Sequence, residues 1–244
     1  MTNKYTYFIA NWKMFGDTRS LNSLDKVVTF IKKYKKNNIK LIYFPPATLI
    51  NLLSQKFKNT SIDVGAQNCF HEENHGAYTG QINSFMLKDA GAKYIILGHS
   101  ENRKLGEDNN LINRKIKSSI KSGLKIIFCI GETLSQKNKK NTKKILSQQI
   151  IQGLKNVENK KKIIIAYEPV WAIGSGLIPK ETEIIEIVKF IKNKVKGSKV
   201  LYGGSVNSQN INLLKKIDNV DGFLVGGASQ NSNNFIDIIK KTFI

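Results

Sequence analysis

Short apolar runs alternate with longer amphipathic segments along this chain. The apolar runs are rich in β-branched and aromatic residues, which is typical of strands that are buried on both faces. The predicted strands cover residues 5–10, 40–44, 61–66, 94–97, 125–130, 163–167, 199–202 and 222–225. Between and after them, helical periodicity predicts helices over 21–34, 48–56, 84–90, 110–122, 142–156, 181–196, 208–215 and 234–241.

This strict alternation predicts an α/β fold with parallel strands joined by helical crossovers. Eight strand and helix pairs in a chain of 244 residues fit a closed (β/α)8 barrel, eight parallel strands ringed by helices, better than an open sheet. No internal repeat, proline-rich linker or shift in composition marks a boundary. We therefore expect a single barrel domain over residues 1–244.

The sixth predicted strand ends in a carboxylate that is followed at once by a glycine-rich segment. Glu168 stands where the strand stops, so its side chain can face a ligand. Pro169 and Pro179 bound the segment, while Gly174 and Gly176 allow positive φ and expose N–H groups to an anion. The pattern predicts a general base beside a closing lid. An ordinary loop with a surface Glu is the alternative.

Further polar residues follow other predicted strands, and a barrel would bring these strand ends to one face. Asn and Lys can stabilise an oxyanion, a neutral His can donate to a carbonyl, and glycine turns expose N–H groups to phosphate. Each has a structural alternative as a surface lysine, a core histidine or a tight turn. The candidates are Asn11, Lys13, His99, Ser100, Glu101, Gly203-Gly204-Ser205 and Gly226-Gly227.

Composition narrows the function classes. Apolar residues make up 41% of the chain, but no run approaches the roughly 20 needed to span a bilayer, so we expect no membrane partner. The first residues enter a strand pattern without a signal peptide, which predicts a cytoplasmic protein. Cys69 and Cys129 predict two reduced thiols. His71 and His75 share a four-residue spacing in a loop-like context without a matching carboxylate, so we expect no metal site.

The net charge of +21 comes almost entirely from lysine, with arginine only at 19, 103 and 114 among 39 basic residues. Proteins that read nucleic acids usually use Arg and interleaved aromatic residues. Here the lysines lie in helix-like segments such as 31–37 and 137–144, as expected of solvated faces. We expect weak, salt-sensitive binding to polyanions and no specific nucleic-acid partner. A basic polyanion-binding barrel without catalysis is the alternative from another class.

Seven motifs in order along residues 8–229 resemble the triosephosphate isomerase family, whose fold is the TIM barrel. Several of them are specific enough to indicate the family alone. The motifs are Asn11-Trp12-Lys13, Gly65-Ala66-Gln67-Asn68, Gly76-Ala77-Tyr78-Thr79-Gly80, Leu97-Gly98-His99-Ser100-Glu101, Ala166-Tyr167-Glu168-Pro169-Val170-Trp171-Ala172-Ile173-Gly174, Tyr202-Gly203-Gly204-Ser205-Val206 and Leu224-Val225-Gly226-Gly227-Ala228-Ser229.

The resemblance implies a cofactor-free homodimer that interconverts dihydroxyacetone phosphate and D-glyceraldehyde 3-phosphate in glycolysis and gluconeogenesis. By the same resemblance, Glu168 moves a proton between C1 and C2, and a neutral His99 polarises the carbonyl. Lys13 and Asn11 stabilise the enediolate, and Glu101 orients Lys13. A different phosphate-binding barrel, such as an isomerase or lyase of amino-acid biosynthesis, would lack the Asn-x-Lys and Glu-Pro-Val-Trp motifs together.

The resemblance also implies roles outside the chemical step. Substrate phosphate would be held at Gly174, Ser205, Gly226 and Gly227. The lid and its partners would be Glu132, Trp171, Ile173, Ser175, Gly176 and Tyr202, and Thr79 would contact the second subunit. The chain departs from the family pattern at Gln81, Asn102, Ser175, residues 177–179 and Gln230, none of which is expected to touch the reacting atoms.

Overall fold

Eight parallel strands close into a barrel in chain order in the computed structural model, which describes residues 5–34 and 38–243. The strands are β1 (Thr6–Asn11), β2 (Ile39–Phe44), β3 (Asp63–Ala66), β4 (Tyr94–Leu97), β5 (Lys125–Ile130), β6 (Ile163–Tyr167), β7 (Lys199–Tyr202) and β8 (Gly222–Val225). The predicted barrel is confirmed. Residues 1–4 and 244 of the predicted domain, and 35–37 of the basic segment, lie outside the described residues.

Pairing of the first strand with the last closes the sheet. Phe8 of β1 is in register with Leu41 of β2 on one side and with Phe223 of β8 on the other. The last five predicted strands have the observed bounds, whereas β3 begins two residues later than the pattern predicted. The preceding residues form a turn instead, in which the Thr60 hydroxyl accepts a hydrogen bond from the Ile62 N–H at 3.1 Å.

The helices ring the barrel. They are α1 (Asp25–Lys33), α2 (Ile50–Lys56), α3 (Ser84–Asp89), α4 (Ser100–Lys104), α5 (Asn109–Lys121), α6 (Leu134–Asn138), α7 (Thr142–Gly153), α8 (Glu181–Lys194), α9 (Ile211–Leu214) and α10 (Ser232–Phe243). Short 3-10 helices at Arg19–Leu24 and Ala47–Leu49 lead into α1 and α2. The predicted segment 208–215 was too long, since only Ile211–Leu214 is α-helical.

Alternate residues of each strand face two different apolar layers. Ile9, Ile127 and Leu201 belong to the cluster that fills the barrel, whereas Phe8 and Ile126 pack in the layer between barrel and helices. Burial on both faces explains why the strands read as continuous apolar runs. The filled barrel leaves the carboxyl ends of the strands as the place where polar side chains gather.

Within the described ranges, no helix has the length and apolar character needed to cross a membrane.

Candidate active site

A cavity of about 210 Å³ opens at the carboxyl ends of the strands. It collects residues that follow β1, β4, β6, β7 and β8, which are far apart in the sequence. Its lining includes these residues that the sequence singled out: Asn11, Lys13, His99, Glu168, Ile173, Gly174, Gly203, Gly204, Ser205, Gly226 and Gly227. Val206, Asn207, Leu224 and Ala228 complete it.

Lys13 enters the cavity from an unusual backbone conformation, with φ of 56°. Left-handed φ is costly for a residue with a Cβ, so the surrounding contacts must hold it. The Lys13 N–H donates to Asn11 Oδ1 at 3.1 Å, and Gln67 Nε2 donates to the Lys13 carbonyl at 2.8 Å. Because Asn11 uses its oxygen here, its amide N–H groups remain available as donors.

An ion pair orients the Lys13 side chain. Lys13 Nζ lies 2.6 Å from Glu101 Oε1, and both side chains are partly exposed. Burial tends to raise the pKa of the Glu101 carboxyl, but the hydrogen bond from Lys13 and nearby positive charge outweigh it, so the pKa lies below its usual value. Glu101 therefore stays ionised and pairs with the Lys13 ammonium at the cavity.

His99 lies between Glu101 and Glu168. It precedes α4, and the Glu101 N–H donates to its Nδ1 at 3.3 Å. A nitrogen that accepts a hydrogen bond carries no proton, so the proton of the imidazole lies on Nε2. Nε2 is 3.3 Å from Glu168 Oε1. The ring therefore presents the N–H of Nε2 to Glu168 and the cavity. A histidine that donates to the substrate is an already known property of the family that the sequence resembles.

Glu168 is buried beside this donor, with 3% of its surface exposed. Its backbone N–H donates to the Ile130 carbonyl at 2.8 Å, which extends the β5 and β6 pairing by one residue. A Cβ on Gly203 would come within 2.8 Å of Glu168 Cγ, so a glycine is needed there. Burial raises the Glu168 pKa, with His99, Cys129 and Lys13 opposing the rise. The side chain is a carboxylate of increased basicity.

Glycine-rich turns after β7 and β8 form another part of the cavity wall. Ser205 follows the first turn, and its carbonyl accepts from Asn210 Nδ2 at 3.0 Å. A Cβ on Gly226 would lie 3.3 Å from Lys13 Cε, so the second turn runs directly beside the lysine. Gly227 has open space around it. Such turns let backbone N–H groups approach an anion, next to a positive side chain.

The predicted lid begins with a 3-10 helix at Val170–Ala172. Trp171 Nε1 donates to Glu132 Oε1 at 2.9 Å, so this predicted lid partner is in contact. Gly174 and Gly176 have φ of 68° and 77°, and Ser175 Oγ accepts from the Leu177 N–H. Beside the lid, the Tyr202 hydroxyl is buried and has no hydrogen-bond partner among the described residues.

Among residues 5–34 and 38–243, no three His, Cys, Asp or Glu side chains group so that they could hold a metal ion. His71 Nε2 instead lies 3.0 Å from Glu72.

A model of the family described as triosephosphate isomerase matches residues 6–242 of the chain. The chain belongs to the triosephosphate isomerase family. Among similar proteins, triosephosphate isomerase of Thermodesulfovibrio yellowstonii is 43% identical over 96% of this chain and 98% of its own length. The triosephosphate isomerase of Dictyostelium discoideum is 40% identical over 98% of this chain and 97% of its own length. The crystal structure of triosephosphate isomerase from Bartonella henselae aligns with a TM-score of 0.87 at 31% identity, covering 97% of this chain and 98% of that one.

Several residues at the candidate site had no role in the sequence prediction, and three of them are Gln67, Leu224 and Cys129. Gln67 was quoted within a motif, but its two hydrogen bonds, to the carbonyls of Lys13 and Phe44, depend on long-range geometry. Leu224 lines the cavity, and Cys129 is buried against Glu168. Leu224 was also quoted within a motif and Cys129 was named only as a reduced thiol; both stand in apolar strand runs, where the local pattern predicts core packing. Thr79 is exposed and is not part of the cavity lining.

Proposed function

We propose that the chain interconverts dihydroxyacetone phosphate and D-glyceraldehyde 3-phosphate through an enediolate. The observation that carries this proposal is that the buried Glu168 carboxyl and Nε2 of the His99 imidazole lie 3.3 Å apart in one cavity with Lys13. Family membership supports the same activity. A proton next to a carbonyl is weakly acidic, so a carboxylate removes it only when the developing oxyanion is stabilised.

Each polar group has one task in this reaction. Glu168 takes the proton from C1 of dihydroxyacetone phosphate, and the C–H electron pair forms the C1–C2 double bond of the enediolate. His99 Nε2, Lys13 Nζ and the Asn11 amide donate to its oxygens. Proton transfer between the two oxygens, with His99 as carrier, and return of the Glu168 proton to C2 complete the isomerisation. The net change moves two hydrogens and needs no added oxidant or reductant.

The phosphate supplies binding energy without reacting. We infer that the backbone of Gly174, Ser205, Gly226 and Gly227 holds it, beside the Lys13 ammonium. When the phosphate binds to Gly174 of the lid and to the turns after β7 and β8 at once, the lid closes. Ile173 then covers the site and water is removed. Loss of water strengthens every electrostatic contact and increases the basicity of Glu168. Trp171, Glu132, Ser175, Gly176 and Tyr202 would set the balance between the open and closed lid.

A coupled assay tests this function. The purified chain is given glyceraldehyde 3-phosphate and EDTA, and a dehydrogenase that reduces dihydroxyacetone phosphate with NADH reports the product. The rate of NADH loss should be proportional to the amount of the chain, and the isomerisation step itself should need no cofactor. Absence of turnover, together with binding to polyanions at high salt, would favour the polyanion-binding alternative. Turnover of another phosphorylated substrate instead would favour a different phosphate-binding barrel.

The lid should also protect the intermediate. An enediolate phosphate exposed to water eliminates inorganic phosphate and leaves methylglyoxal, so replacing residues 173–176 by a short link should increase methylglyoxal per turnover several-fold. The measurement is the ratio of methylglyoxal to isomerised product. Exposed Lys139→Ala in the separate loop after α6 is a matched control that should leave the ratio unchanged. An unchanged ratio in the lid variant would contradict this role.

We further propose a homodimer in which Thr79 reaches the region of Asn11 and Glu101 of the partner subunit. The support is a set of large exposed apolar side chains in the segments that follow β1 and β3, since exposed apolar surface often marks an interface. They are Met14, Phe15, Tyr78, Ile82, Phe85 and Met86. Gln81 and Asn102 are both neutral where the family commonly has an ion pair, so neither leaves a buried charge without a partner.

Sedimentation and activity measured together on dilution test the dimer. We expect activity to fall as monomer forms, because one subunit completes the site of the other. Rising salt should leave the dimer intact or strengthen it, since the contact is apolar and each subunit carries +21. A fully active monomer, or a dimer that dissociates as salt rises, would contradict the proposal.

We propose that residues 1–244 form one domain, because β1, the first strand of the chain, pairs with β8, the last, and closes the barrel. A cytoplasmic location is proposed from the family resemblance.

A further inference from the structure

Two glutamine side chains bracket the backbone of Lys13. Gln67 Nε2 donates to the Lys13 carbonyl at 2.8 Å, on the carboxyl side of the residue. Gln230 Nε2 donates to the Trp12 carbonyl at 3.1 Å, in the peptide that precedes it. Lys13 needs such restraint because its φ of 56° lies in the left-handed region. The two amides fix the peptides on both sides of this strained residue.

Gln230 belongs to the turn that is proposed to hold phosphate. It follows the 3-10 helix Gly227–Ser229, and its N–H donates to the Gly227 carbonyl at 3.1 Å. In the opposite direction, Trp12 Nε1 donates to the Ser229 carbonyl at 3.2 Å. Two hydrogen bonds that involve side chains therefore connect the turn after β8 with the end of β1. Of these two hydrogen bonds, the one from Gln230 is made to the peptide group that joins Trp12 to Lys13.

We infer that Gln230 is a positioning residue that couples the phosphate turn to the Lys13 ammonium; this rests on the proposed function. Gln230 is absent from the cavity lining, so it acts through Trp12 and Lys13 and not on the substrate. The family pattern commonly has an apolar residue at this place, which cannot donate to a carbonyl. This chain therefore has an added restraint on its oxyanion lysine.

The test is Gln230→Met, which keeps the length of the side chain and removes its amide. Loss of one neutral hydrogen bond typically changes an equilibrium or rate constant by roughly threefold to tenfold. We therefore expect kcat to fall by about that factor. The KM for glyceraldehyde 3-phosphate and the inhibition constant for inorganic phosphate should change less than about twofold, because the phosphate contacts remain. Gln209→Met, at an exposed glutamine with no side-chain hydrogen bond among the described residues, is the matched control and should match the parent.

Gln230→Glu is a second variant, which keeps polarity and size but cannot donate when ionised. It should lower kcat in the same way, and thermal unfolding of both variants shows whether they are folded at the assay temperature. An unchanged kcat in a folded variant would overturn the inference. A loss confined to KM and phosphate inhibition would also overturn it, since Gln230 would then be a phosphate-binding residue. An inactive parent chain would overturn the proposed function itself, and this inference with it.

Discussion

Glu168→Gln should lower kcat by at least about 100-fold, because the amide keeps the shape of the side chain and cannot accept the substrate proton. Glu168 is the buried carboxylate that lies within 3.3 Å of His99 Nε2 in the cavity. Binding of a phosphate-bearing inhibitor should persist in the variant, since the glycine turns and Lys13 are untouched. Glu181→Gln, at an exposed residue of α8, is a matched control that should leave kcat unchanged.

The pH dependence provides a second check on the same group. Burial raises the Glu168 pKa above its ordinary value, and the base must be ionised to act. Activity should therefore fall as pH decreases through a pKa above the usual carboxyl range, and this acid limb should disappear in Glu168→Gln. Full activity of the folded variant would contradict the role of Glu168 as the base.

Lys13→Met should lower kcat by about 100- to 1000-fold, the loss expected when a donor to a developing oxyanion is removed. Substrate affinity should fall as well, since the Lys13 side chain runs beside the turn at Gly226 and its charge attracts the phosphate. Removal also leaves Glu101 without the ammonium at 2.6 Å, which adds a repulsive carboxylate near the site. Both kcat and KM are measured in the coupled assay.

The matched control is Lys33→Met, which removes one positive charge from an exposed position of α1. It should leave kcat unchanged. It should alter KM slightly at low salt, because the protein's net positive charge attracts the anionic substrate a little less. If the two lysine variants lose activity equally, the ammonium of Lys13 has no specific part in stabilising the enediolate. A variant that keeps kcat and loses affinity alone would reduce Lys13 to a binding residue.

The sequence predicted the barrel because its strands are buried on both faces, which leaves continuous apolar runs of recognisable length. It missed α4 and α6 because helices of five residues are too short for a periodic pattern. The start of α6 was nevertheless readable, since Thr133 and Gln136 form a capping box. Predicted helix ends were less accurate where local turns replaced the helix, as after Gly153, where Asn156 has φ of 54°.

The sequence predicted which residues form the candidate site, but it did not predict their conformations or hydrogen bonds. Residues after the strand ends pointed to Asn11, His99 and Glu168, since barrel topology brings these ends together. The left-handed backbone of Lys13 and the hydrogen bond to His99 Nδ1 depend on contacts between distant segments. Local sequence has no signal for either. The same holds for Gln67 and Gln230, whose amides reach carbonyls far away along the chain.

The most direct test of the proposed chemistry is to follow the reaction in D2O by proton NMR. The purified chain is given D-glyceraldehyde 3-phosphate, with Glu168→Gln as the parallel sample. The proposed mechanism predicts that dihydroxyacetone phosphate forms with some deuterium at C1, because Glu168 can exchange its proton with solvent while the enediolate is bound. The variant should form product at least about 100-fold more slowly. No product above the uncatalysed rate, or equal rates for the two chains, would contradict isomerisation by Glu168.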